Sequence, residues 1–360
     1  MMVFVLLIIY RNRIDFKDRL TKISAVIVLV FILILVTTFL SGQTNRLSAM
    51  SYFAYQRTDE KIQLISKEDG LEIGSLQFQF LHGEWFEYVK GLMERYLIYF
   101  SPKMLFIDGD YSERHSVPDL GVLYFFSIAL IPLGLFTLIK SWGQSSKPII
   151  FWLLLAPIPA VLSRDLISTL RALNMVIPYA ILEGMGLIFL IEILKKHVRN
   201  FFLPIIISIF LVFSFNFLIY LDRYFIHAPK EYSKSWLFGY RQVVESLPND
   251  LSKYDKVVFT DTYGQPYIYY LFYKKYPPSD FQKQAVLDQP TVDVGTVRKI
   301  NNIEFRHVYW PSDRGIKASL FIGSLEELPD KDVIPFNEFK ILNDFYFLNG
   351  EHAFRVVETK

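Results

Sequence analysis

Residues 172–221 read ALNMVIPYAILEGMGLIFLIEILKKHVRNFFLPIIISIFLVFSFNFLIYL. Two apolar runs, Ala172 to Leu194 and Phe201 to Leu221, are separated by Lys195, Lys196, His197 and Arg199. Each run reaches the roughly 20 residues a helix needs to cross a bilayer core. Cations gathered in a short connection mark the cytoplasmic side of such a pair. The stretch predicts two membrane-crossing helices joined inside, with the chain on both flanks outside.

Working outward, three more segments are mostly apolar: Ile149 to Leu162, Leu120 to Ile139 and Ile23 to Ser41. Lys140 and Lys147 lie between two of them, and Arg11, Arg13, Lys17, Arg19 and Lys22 precede the first. Placing every basic connection in the cytoplasm alternates with five crossings. The expected fold is an α-helical polytopic membrane domain, with five full spans plus a partial one, followed by an extracytoplasmic α/β domain. The expected organisation is a partial membrane helix and cytoplasmic loop over 1–22 and a transmembrane helix over 23–41. An extracytoplasmic loop with interfacial helices (42–118), a four-helix transmembrane segment (119–221) and the extracytoplasmic α/β domain (222–360) follow. Met1 to Tyr10 is apolar but half a span long, and lacks the basic start and cleavage site of a signal peptide. It reads as the tail of a helix begun earlier, with a short interfacial stub as the alternative. The expected location is the plasma membrane, multi-pass, with the C-terminal domain outside.

A formal charge of +2 is too small to suggest a nucleic-acid partner. The chain has no cysteine, which excludes disulfides and thiolate chemistry. Its six histidines show no zinc-binding spacing, so no metal site is expected from them.

Phe78 to Phe100 interleaves aromatic and charged residues, as in a helix lying at the membrane interface or packed under the outer domain. Pro157 and Pro159 should break the third span near its outer end, which suits a cavity wall. Glu183 falls near the middle of the fourth. An ionisable group there is a substrate-site candidate, or else a buried acid bonded to a neighbouring helix. After Asp222 strand and helix signals alternate. Lys256 to Asp261 reads as a buried strand and Gly264 to Tyr276 as a helix stopped by Pro277 and Pro278. Phe305 to Trp310, Ser319 to Gly323, Phe339 to Leu342, Phe345 to Leu348 and Ala353 to Val357 read as strands, with Asn349-Gly350 turning a hairpin between the last two. No phosphate-binding glycine loop occurs.

Three polar clusters could carry chemistry. Asp108, Asp110, Glu113, Arg114 and His115 stand just before Pro118. Asp108 and Asp110 can hold a divalent cation or sugar hydroxyls, and Arg114 and His115 can meet phosphate. The same residues also suit a hydrogen-bonded turn. Arg164 and Arg171, in the turn Ser163 to Arg171, oppose the charge bias; an anion at the surface would explain them, as would headgroups or Asp165. Asp261 to Gly264 follows a strand, where α/β folds bind ligands, or caps the next helix.

Two stretches carry a resemblance. FSPKMLFIDGDYSERHSVPDLGVLY (Phe100 to Tyr124) and LAPIPAVLSRDLISTLRALNMVIP (Leu155 to Pro178) resemble the later half of bacterial membrane glycosyltransferases of the GT-C fold. These are similar to the dolichyl-phosphate-mannose protein mannosyltransferases and the lipid A aminoarabinose transferases. The resemblance implies sugar transfer from a polyprenyl-phosphate donor to a glycan, lipid or protein acceptor on the outer face of the membrane. It implies Arg171, with Arg164, at the donor phosphate. Asp108, Asp110, Arg114 and His115 would line the substrate cavity, with a divalent cation left open, and Glu183 joins them as a substrate-binding candidate from its place in the span alone. In the family the catalytic carboxylate lies in an early outer loop. This chain starts near the middle of that architecture, so its catalytic residue is unknown and a separate N-terminal half is an expected partner. Ser168 stands where relatives have the His of a His-x-x-Arg turn, while Arg171 is kept. The alternative is a catalytically inactive membrane-anchored protein that binds a glycan or partner. A transporter is disfavoured by the lack of an inverted repeat.

Overall fold

The structure, a computed structural model, describes residues 50–54, 57–248, 250–287 and 296–360, together with positions 26, 27, 29, 30, 33, 34 and 37, which are helical. The expectations for 1–22 and for most of the helix over 23–41 lie outside the described residues. The chain forms two compact units, Met1–Asp222 and Arg223–Lys360.

In the first unit, α1 (Asp59–Asp69) starts at Thr58, whose hydroxyl accepts from the Lys61 N–H, and stops at a left-handed Gly70. The aromatic stretch expected to be one helix is two, α2 (Leu76–His82) and α3 (Glu84–Ile98). Gly83 between them is extended and serves as the N-cap of α3. Four apolar helices follow: α4 (Ser127–Lys140), α5 (Ser146–Leu155), α6 (Val176–His197) and α7 (Phe202–Asp222).

The five-span membrane domain is overturned. Among the described residues only two helical stretches, Leu173–His197 and Arg199–Glu231, are long and apolar enough to cross a membrane. The physical reason is length. The 14 residues of α4 rise about 21 Å at 1.5 Å per residue, short of a hydrocarbon core about 30 Å thick. Residues 120–126, expected to begin that span, instead lie beside the 104–105 backbone: Val122 N–H donates to Met104 O (3.4 Å) and Leu123 N–H to Leu105 O (2.7 Å). The next helix is also short, and Pro157 ends α5 before a single turn, Ile158–Val161.

α4 packs against α6 with backbones in contact. A Cβ on Gly134 would lie 1.9 Å from Leu182 O, and one on Gly186 would lie 2.0 Å from Leu130 O. Small residues at matching positions permit that approach between apolar helices. A separate core gathers Tyr99, Met104, Ala160, Ile167, Met175 and Tyr179.

The second unit is built on a seven-stranded sheet in the order β2-β3-β4-β1-β5-β7-β6. The strands are β1 (Lys256–Phe259), β2 (Ala285–Leu287), β3 (Val297–Ile300), β4 (Ile303–Phe305), β5 (Ser319–Gly323), β6 (Phe339–Tyr346) and β7 (His352–Thr359). The central trio β4-β1-β5 is parallel and the outer pairs are antiparallel. Period-2 alternation places Val257, Phe259, Leu320 and Ile322 in one core with Tyr240 and Val243 of α8 (Tyr240–Ser246). Val258, Phe321 and Val357 enter a second core on the other face with Trp310 and Leu328. A parallel centre buried on both faces is the α/β pattern.

Details differ from the sequence reading. β4 ends at Phe305, and Trp310 opens a helical turn, Trp310–Asp313. The two strands expected over 339–348 are one bulged strand, β6. It turns into β7 at Asn349-Gly350, with Gly350 at φ 88°. The helix after β1 is shorter than expected, α9 (Pro266–Tyr273), and α10 (Pro278–Gln284) starts at the second of the two prolines.

Candidate functional site

The first unit contains a cavity of about 800 Å³, and both stretches that carry the family resemblance line it. Its construction begins at a π-helical turn, Met104–Asp108, that ends at Gly109. Gly109 has φ 71°, in the region that favours glycine. That reversal turns the next residue, Asp110, inward, and its side chain is fully buried.

Asp110 ties two loops together. Its Oδ1 accepts from the Ser112 N–H (2.9 Å), the turn bond expected of an Asp at such a bend. Its Oδ2 accepts from both the Thr169 N–H and the Thr169 hydroxyl, each at 2.8 Å. His115 Nδ1 stands 3.7 Å from Oδ2, too far for a hydrogen bond. A second tie runs parallel. The Ser168 N–H donates to Tyr99 Oη at 2.8 Å, where Tyr99 is completely buried. Burial raises the Tyr99 pKa, and the Ser168 N–H offsets part of the rise. Tyr99 is therefore a neutral hydroxyl on the cavity wall, and its own proton has no acceptor among the described residues. Across the cavity lie Met175, Val176, Phe215 and Asn216. Among the described residues no lysine or arginine lines the space, so the wall they form is apolar with neutral or acidic polar groups and one imidazole.

The expected site residues separate into groups. Asp110 and His115 line the cavity. Asp108 does not; it is exposed and paired with Lys103 at 2.9 Å. The two aspartates expected to share a cation are thus committed to different partners. Among the described residues no group of three or more His, Asp or Glu could hold a metal ion. Arg114 is exposed and makes contacts of its own. Glu183 is half-buried in α6, away from the cavity lining, with no hydrogen-bond or ion-pair partner among the described residues.

The expected phosphate ligands are engaged in holding the turn. Arg171 Nη1 donates to Asp165 Oδ2 (2.5 Å) and to Ser163 Oγ (2.8 Å), and it does not line the cavity. A phosphate on Arg171 would have to compete with Asp165. Arg164 is exposed, and its N–H donates to Met50 O at 2.7 Å.

Sequence reasoning missed Arg95, Tyr99 and Thr169. Arg95 donates to Ser163 O (2.9 Å), Asp165 O (2.8 Å) and Arg164 O (3.2 Å), and lies 4.5 Å over the Tyr52 ring. It sits in an aromatic helix about seventy residues before its partners, so nothing local marks it. Thr169 had one signal, a hydroxyl two residues before Arg171 in a turn already singled out.

In the second unit, Asp261 to Gly264 forms a turn before α9, with Gly264 N–H donating to Asp261 O. Thr262 does not cap the helix. Its N–H donates to Thr260 Oγ1 (3.1 Å), and its hydroxyl lies 3.4 Å from His307 Nδ1. Beneath them Glu327, its side chain buried, accepts from Thr260 Oγ1 (2.7 Å), the Val308 N–H (2.8 Å) and the Ser324 N–H (2.7 Å), with His307 Nδ1 at 2.9 Å. Donors that saturate a buried carboxylate make it a structural brace for three strand ends.

No family model, curated protein or solved structure matches this chain.

Proposed function

We propose that the chain is part of a membrane glycosyltransferase that moves a sugar from a polyprenyl-phosphate donor to an acceptor on the extracytoplasmic face. One observation carries the reading. The stretches 100–124 and 155–178 resemble the same enzymes, and they meet through Asp110–Thr169, with Tyr99, just before the first stretch, bonded to Ser168, around one amphipathic cavity. An apolar wall suits an isoprenoid chain, while Tyr99, His115 and Asn216 suit sugar hydroxyls. In the reaction an acceptor hydroxyl oxygen bonds to the anomeric carbon, the bond from that carbon to the phosphate oxygen breaks, and the hydroxyl proton passes to a base. Asp110 is not assigned as that base, because both its oxygens are engaged, one by the Ser112 N–H and the other by the N–H and hydroxyl of Thr169.

Two helices supply the membrane part of the reading. Lys195, Lys196 and Arg199 join them on the cytoplasmic side, so the chain passes in and back out of the plasma membrane and residues 223–360 are extracytoplasmic.

A second reading has its own support. The engagement of Asp110 by Ser112 and Thr169, and of Arg171 by Asp165, favours a protein that binds the glycolipid without turning it over. One experiment separates the two. The full chain in membrane vesicles is given a photoactivatable polyprenyl-phosphate sugar, and both cross-links and sugar transfer are measured. Cross-links within 104–125 and 169–179, competed by unlabelled donor, are expected with transfer. The same cross-links without transfer support the binding protein, and cross-links elsewhere or none overturn both.

A further inference from the structure

The helix α3 carries a stripe that nothing among the described residues covers. Trp85, Val89, Met93 and Leu97 recur every four residues, and each is more than half exposed. Leu76, Phe80 and Leu81 of α2 extend the patch. Contiguous apolar surface of this kind marks a partner or a membrane.

The opposite face of α3 is fixed. Gly91 lies against the Tyr52 ring, where a Cβ would fall 2.9 Å from Cζ. Arg95 grips the carbonyls of Ser163, Arg164 and Asp165. At the edge of the stripe itself, Tyr96 Oη donates to Leu154 O at 2.8 Å, at the last turn of α5. These anchors set the height of α3. The turn gripped by Arg95 leads into α6, whose 22 residues rise about 33 Å, close to one bilayer core. A helix clamped at that end of α6 lies at headgroup level, where Trp is favoured.

We infer that α3 lies in the headgroup layer of a lipid bilayer, its Trp85–Leu97 stripe dipped toward the acyl chains and its Arg95 face holding the turn beside the cavity. The inference rests on the membrane part of the reading above and not on its chemistry. Lipid fits better than a second protein because α7, in the same unit, also buries no residue and needs an apolar surround. The polar positions of α3 are Glu84, Glu87, Lys90, Glu94 and Arg95, which lack the cationic excess of helices that seek anionic lipid. Docking therefore depends on apolar insertion and is indifferent to lipid charge.

The test uses the full chain in phosphatidylcholine vesicles carrying brominated acyl chains, with Trp85 read as the difference between the native chain and W85F. Bromines near the headgroup should quench Trp85 about twofold more than bromines near the chain ends. Replacing a quarter of the lipid by phosphatidylglycerol should leave that ratio unchanged. Trp85 open to aqueous iodide and untouched by bromine would put the stripe in water, and protection from both would put protein on it; either result overturns the inference. The variant F210W, which places an indole on exposed α7, separates the failures. If bromine quenches the added indole of F210W and leaves Trp85 untouched, only the docking of α3 falls. If it quenches neither, the membrane reading falls with it.

Discussion

The α7 helix and strand β1 are both almost wholly apolar, and they meet opposite fates. Val257, Val258 and Phe259 of β1 are completely buried by layers on both faces of the sheet. Of the 21 residues of α7, none is buried. The second unit satisfies its apolar side chains with its own layers, whereas the first leaves a crossing-length helix bare. Apolar content fixes that a segment must leave water; it does not fix whether protein or lipid receives it.

The largest effect expected from this contrast is at Phe321. It is completely buried and sits edge-on to Trp310 at 5.6 Å. F321A should cost about 3–5 kcal/mol, because a cavity remains when a buried ring is removed. F210A, on the bare face of α7, should cost less than about 1 kcal/mol. Pulse proteolysis of the full chain across a denaturant series reads both. An equal cost at Phe210 would mean that protein covers α7.

A middle-sized effect tests the helix contact inside the first unit. G186A puts a methyl 2.0 Å from Leu130 O and should destabilise the α4–α6 pair by about 1–3 kcal/mol, as overpacking does. G184A, on the same helix with nothing within 4 Å, should be neutral or stabilising by up to about 1 kcal/mol. The same substitution on one helix thus carries opposite signs, readable as thermal stability in detergent. Matching effects would break the backbone-contact account.

The smallest is a graded acid response of the second unit. Burial raises the pKa values of Asp313, Asp344 and Glu304, but hydrogen bonds outweigh it: Arg306 and the Tyr309 N–H act on Asp313, Arg355 and His352 on Asp344, and Arg306 and Lys256 on Glu304. All three end below the ordinary carboxylate range. Groups depressed in the folded state give stability that is present above their unfolded values, and it is lost as pH falls through the folded ones. The second unit should therefore weaken progressively below about pH 4. D344N should make that loss shallower, with residues 256–359 followed by proteolysis in the full chain.

These contrasts show what could be read from residues alone. The central strands were visible because KVVF and SLFIG are short β-rich runs, whereas their parallel pairing was not. The hairpin was visible because Asn349-Gly350 is a local signal. The two long helices were visible for the same reason, since twenty apolar residues in a row need no partner to be recognised. The expected spans over 120–139 and 149–162 failed because an apolar run does not reveal where its helix starts. Leu120 to Phe126 is apolar enough to extend α4, yet its backbone is claimed by Met104 and Leu105 from another loop. At the candidate site, Asp110 and His115 were legible as members of a dense polar cluster just before Pro118. Tyr99, Arg95 and Thr169 were not, because their partners lie about sixty to seventy positions away.

Sequence alone determined that this chain carries two crossing-length apolar helices joined by cations and a separate α/β unit, because local hydropathy and period-2 alternation are properties of neighbours. Only the tertiary structure decided which polar residues meet. Asp110 went to Thr169, Arg171 to Asp165, and Arg95 to a turn it could not have been paired with in advance. Each of these side chains could have satisfied its hydrogen bonds locally or in water, and the choice between those states is made by the packing of distant segments.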